Sequence, residues 1–373
     1  AIILGNSTVS GTYGITAGGA ITDSGTQEIT GVTTLAAGSG NDITLDTSTN
    51  NFAAAVVITS GRNVAIIDED AIDLGAATVS GTYAITATTG GITDSGTQEI
   101  TGVTTLVAGS SNDITLNTST NNFAAAVGIT SGRNVAITDE DAIDLGASTV
   151  SGTYAVTATT GDITDSGNLA ITGAATFITT AAGSNIILDS SNAFTSTVTM
   201  QSGNGTAAFG NLTFVDSGPV RLHTSVAAAG DLWINAVNPD GTVGGTLSVT
   251  ANGDITQTVD LVVAGTTTLA AGSSNDITLS NASNNFATVV ITSGRNVALR
   301  DAGAVVLGAA TVSGTYSVTA GGAITDSGTQ EIAGVTTLVA GSSNDITLST
   351  STNNFAAAVV ITSGRNVAIT DED

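Results

Sequence analysis

A small set of phrases recurs along this 373-residue chain at spacings near 70, and no other feature limits its fold as tightly. The string TVSGTY begins at Thr8, Thr78, Thr149 and Thr311, and SGRNVA begins at Ser60, Ser131, Ser293 and Ser363. A pair of Asn residues precedes Phe52, Phe123, Phe286 and Phe355, with a relaxed copy ending at Phe194. Phrases of the AIxLG type begin at Ala1, Ala71, Ala142 and Ala304, and Pro219 opens a degenerate one. These starts divide the chain into copies 1–70, 71–141, 142–218, 219–303 and 304–373 of one array. The third and fourth copies diverge: they hold both Pro residues and the only His, Trp and Met.

Each copy subdivides. Gly132, Gly152 and Gly173 open similar phrases, which suggests about three coils per copy of roughly 24 residues each. Inside a coil, apolar and polar residues alternate over three to five positions, as at Val135/Ile137 and Ile143/Leu145, and Gly, Asn, Asp and Ser mark turns. Helical stripes and capping signals are absent. Short strands in coils of 20–30 residues fit a parallel β-helix, an all-β solenoid in which each coil covers the apolar residues of the next. With coils about 4.8 Å apart, three coils put equivalent residues of neighbouring copies about 14 Å apart along the axis.

Composition removes several classes. The net charge is −25 with six Arg and no Lys, so the chain has no electrostatic footprint for nucleic acid. Without Cys there is neither a disulfide framework nor a thiolate metal site. No run of 18 apolar residues marks a spanning helix, and aromatics at 3% are too few for the girdles of a membrane barrel. The chain begins and stops at one phase of the repeat, which suggests a segment of a longer array or a unit stacked end to end on others.

The phrases, in the order NNFxxxVxITSGxNVAITDxxAIDLG, VSGTYxVTAxxGxITDSG and ITGxTTLxAGSxNDITL, resemble the repeat regions of bacterial filamentous-haemagglutinin-like large exoproteins. These are adhesin-type surface proteins, some exported by two-partner secretion. The resemblance covers essentially the whole chain, most weakly from about 195 to 262. It implies a right-handed β-helix shaft at the bacterial cell surface, outside the cell, with attachment or matrix-building work. Partners would be further copies of the array, neighbouring rods, or glycans and surfaces of other cells.

Candidate chemistry is sparse. The triplets Asp68-Glu69-Asp70 and Asp139-Glu140-Asp141 cluster hard oxygen ligands of the kind that hold Ca²⁺, the one cofactor the sequence suggests. The same triplets also read as solvated turns whose charge keeps a solenoid soluble. The Gly-Ser-x-Asn-Asp-Ile-Thr-Leu phrase beginning at Gly38 resembles Ca²⁺-binding nonapeptides but occurs once per copy, so it reads as a turn. Arg62, Arg133, Arg295 and Arg365 either face an acidic glycan or a neighbouring rod, or pair with surface acids. His223, Trp233 and Pro239 mark an insertion suited to a protruding recognition loop or a passive bulge. A lone His makes neither a triad nor a zinc site, and no catalytic residues are assigned. Expected, then, is a non-catalytic structural shaft of a secreted fibre or adhesin. The alternatives are an end-to-end filament polymer and a polysaccharide-cleaving β-helix enzyme.

Overall fold

The computed structural model describes residues 1–203, 208–223, 231–235 and 242–372, with the backbone alone at 233 and 235. Every described strand pairing is parallel, and no α-helix occurs among the described residues, so none is long and apolar enough to cross a membrane. The strands stack in a β-solenoid of about 17 turns, as the alternation and nested periods predict. The chain divides into two compact units, residues 1–180 and 181–373.

In the first unit two broad sheets enclose the core. One runs through Ile2–Leu4, Ile21–Asp23, Ile43–Leu45, Val64–Asp68, Tyr83–Ala87 and Thr104–Val107. The other runs through Tyr13–Thr16, Thr33–Ala36, Val56–Gly61, Ile72–Val79, Ile92–Asp94, Ile114–Leu116, Val135–Asp139 and Tyr154–Ala158. A narrow third sheet of Ser7–Val9, Gln27–Ile29 and Asn51–Phe52 closes one side. The strands are short because Gly and Asx turns interrupt them, and each buries alternate residues: Val64 and Ile66 lie inside while Ala65 and Ile67 face out. Burying each such Val or Ile stabilises the coil by about 1.5–3 kcal/mol, and register places like on like, as in Ile92 over Ile114.

The register also fixes the coil count. Tyr13 and Tyr154, two copies apart, lie in the same sheet and are separated by seven coil steps. Tyr83, one copy from each, pairs with Val64 and Thr104 in the opposite sheet. A copy is therefore three and a half coils, half a coil more than the Gly spacing suggests, and its rise is about 17 Å. Neighbouring copies in this unit present equivalent residues to opposite faces.

In the second unit, one sheet runs through Leu212–Asp216, Leu247–Ala251, Val262–Ala270, Asn285–Gly294 and Val305–Val312. The other includes Ile255–Gln257, Ile277–Leu279, Val297–Asp301, Tyr316–Ala320 and Thr336–Val339. The divergent stretch keeps the pattern: Phe194 stacks on Phe214 with ring centroids 5.4 Å apart.

Candidate interaction surface

The charged phrases form links between coils. Arg62 donates from Nε and Nη2 to the two carboxylate oxygens of Asp42 on the preceding coil, both at 2.8 Å. Asn63 donates to the same carboxylate through its backbone and side-chain amides, while its Oδ1 accepts from Thr82 on the following coil. The same arrangement recurs at Arg133/Asp113 and at Arg295/Asp276, and Arg365 makes the same bidentate pair with Asp345. Led by the Arg hydrogen bonds, these contacts hold all four Asp residues well below the usual carboxylate range, at about 2. Thus the four repeated Arg residues pair with surface acids, and each Asp of the NDITL phrase is the partner. Asn41 spans its own turn by donating to the Ala37 carbonyl, beside Gly38 at φ 81°.

The acidic triplets hold coils too. Asp68 is fully buried; its Oδ2 accepts the backbone N–H of Phe52 and its Oδ1 that of Asp70, both at 2.8 Å. Asp139 does the same for Phe123 and Asp141. Burial drives both carboxyls up to about 6, against the pull of those backbone donors. Glu69 and Glu140 are half-buried, with their backbone N–H groups on the Asn50 and Asn121 carbonyls, and Asp70 and Asp141 are exposed and accept from Thr89 and Thr160. Among the described residues no group of three or more His, Asp or Glu is placed to hold a metal ion. The buried first Asn of each pair is a further link: Asn50 donates to Asp23 and accepts from the Gln27 N–H one coil away. That role of Asn50 and Asp23 is not visible in the sequence, because the partners lie 23 and 27 residues apart and only register joins them.

His223 is half-buried at the end of Val220–Leu222, and its backbone N–H donates to Leu232. The backbone of Trp233 pairs with Thr199, and Pro239 lies outside the described residues. Beside them, Arg221 reaches the buried carboxylate of Asp231 at 2.5 Å.

The second unit carries a concave feature that no sequence motif marks. A cavity of about 460 Å³ is lined by Asn192, Asp216, Ser217, Asn252 and Ser293, and a second, of about 250 Å³, by Ser293, Thr311, Glu331 and Asn354. They share Ser293 and adjoin along a trough lined by eight successive coils: that of Asn192, whose carbonyl accepts the Ser217 N–H, then those in the register Val215–Thr250–Ala270–Ser293 and Val312–Ile332–Phe355. Ser313 donates to the Ser273 carbonyl and closes one wall. The first unit repeats the polar rank, with Thr78, Glu99 and Asn122 in register and Ser80 donating to Ser39. In the divergent third copy Ala170 takes the place of Glu.

A family model described as repeats of unknown function (DUF5649) matches residues 1–59, 61–130, 132–201, 235–293 and 294–362. The chain belongs to this family. Three of the DUF5649 matches open at or beside a buried Gly of the SGRN phrase: Gly61, Gly132 and Gly294. A Cβ at Gly61 would lie 2.9 Å from Val64 and 3.1 Å from Ile43, so the core admits no side chain there. No curated protein and no solved structure matches the chain.

Proposed function

We propose that this DUF5649 array is a non-catalytic shaft segment of a bacterial surface fibre or adhesin, working outside the cell. The observation that carries this reading is the repeated link between coils. Every Arg–Asp–Asn group ties a coil to its neighbour, and the buried Asp residues tie the coil bearing each Phe to the next. Ionisable groups used in this way give mechanical continuity, and stability accumulates as nearest-neighbour terms. The acids are distributed periodically instead of gathering in one cleft, which favours a scaffold over a polysaccharide-cleaving enzyme. The sequence resemblance to filamentous-haemagglutinin-like exoproteins supports export and a surface location.

Cryo-electron microscopy of the protein in its source tests the proposal. A thin extracellular filament should show axial spacings near 4.8 Å and about 17 Å, the rise of three and a half coils. Free, discrete particles inside the cell would overturn it. A filament continuing through separate chains would replace the shaft with an end-to-end polymer.

A further inference from the structure

We infer that the trough of the second unit is a binding site for an uncharged, linear oligosaccharide lying along the solenoid axis. It gives the proposed surface role a ligand class, and rests on that reading for its biological setting.

Shape comes first. The two cavities adjoin at Ser293 and their linings come from eight successive coils, about 34 Å at one strand spacing per coil, so together they suit an extended polymer better than a compact metabolite. Small exposed residues such as Ala333 and Ala356 line the trough, which lets a ring approach the backbone. Along it stand polar groups from five of its coils: Ser217, Asn252, Thr311, Glu331 and Asn354. Hydroxyl, amide and carboxylate groups in one line are complementary to the alternating donors and acceptors of a polyol.

Charge and backbone chemistry select against other occupants. The nearby cation, Arg295, is held by both oxygens of Asp276, while the exposed Glu331 faces the trough in a chain of net charge −25. An acidic glycan, a phosphate or a nucleic acid would meet repulsion there. An extended peptide has no strand edge to join, since the strands beneath are paired with coils on both sides.

The test is calorimetric titration of the whole chain with neutral hexasaccharides (cellohexaose, chitohexaose and maltohexaose), with a hyaluronan hexasaccharide as the acidic comparison. Saturable binding of at least one neutral sugar is expected, and none of hyaluronan. Replacing Thr311→Val together with Glu331→Ala should weaken binding at least tenfold, with the melting temperature checked in parallel. If that pair disturbs folding, Asn252→Ala, at an exposed site, should still weaken binding several-fold. No saturable binding of any neutral hexasaccharide, tighter binding of hyaluronan, or neutral-sugar affinity unchanged in folded variants would overturn the inference. None of these results bears on whether the chain forms a fibre.

Discussion

The carboxylate of Asp68 lies fully inside the solenoid and accepts the backbone N–H of Phe52, 16 residues earlier, at 2.8 Å. The bond joins the turn after one Asn pair to the end of the next coil, and Asp139 repeats it with Phe123, Asp301 with Phe286 and Asp371 with Phe355. In four of the five copies this Asp is buried, as Asp68, Asp139, Asp216 and Asp301, and these buried carboxyls give the array a pH response.

Stability should rise as pH falls from about 7 to about 4. Asp68 and Asp139 titrate near 6 when folded, against 3.8 in the free side chain, so in that window the folded chain holds protons that the unfolded chain has released. Relief of repulsion among net negative charges acts in the same direction. Below about 4 the sign reverses: Asp42, Asp113, Asp276 and Asp345, held near 2 by Arg, bind protons more readily when unfolded. Thermal melts by circular dichroism from pH 2 to 8 should show a maximum near pH 4–5, and Asp68→Asn with Asp139→Asn should flatten the limb above it.

The buried tyrosines separate packing from hydrogen bonding. Tyr83 is fully buried and its hydroxyl has no partner among the described residues, whereas that of Tyr13 donates to Gln27 at 3.2 Å. Tyr83→Phe should leave stability unchanged or raise it, while Tyr13→Phe should cost about 1 kcal/mol. Tyr83→Ala, which empties the core, should cost about 3–5 kcal/mol in urea melts.

Glycines stacked at the coil corners should be intolerant of any side chain. A Cβ on Gly102 would lie 2.4 Å from the carbonyl of Gly81 on the neighbouring coil, while one on Gly14 meets nothing within 4 Å. Gly102→Ala should destabilise by about 1–3 kcal/mol. Gly14→Ala should be neutral or stabilising by up to about 1 kcal/mol, because its strand needs no special backbone. Denaturant titration of the two variants checks the contrast.

Deleting residues 71–141 removes one copy without changing the phase at the junction, because Ala142 replaces Ala71. The chain should still fold cooperatively, with the axis of the first unit shortened by about 17 Å. Val135→Asp should instead open the core locally, since Val135 is buried and an unpaired charge has no compensation there. Small-angle scattering on the deletion and hydrogen exchange on the substitution read these outcomes; loss of folding on deletion would contradict nearest-neighbour stability.

Sequence alone determined the parallel solenoid, because alternation over three to five residues and a fixed period leave only coil-on-coil stacking to bury the apolar side chains. It also determined which residues of a strand lie inside, as the burial of Val135 and Ile137 shows. What tertiary structure decided was every relationship set by register: the half coil that turns Tyr83 away from the face of Tyr13, the pairing of Arg62 with Asp42, and the inward turn of Asp68, which sequence reads as a wet turn or a cation ligand. The trough belongs to the same class, since Ser293 and Glu331 become neighbours along it only when the coils stack. The reason is physical: a sequence period fixes how many residues separate like side chains, but hydrogen-bond register between coils fixes which face they occupy and what they meet.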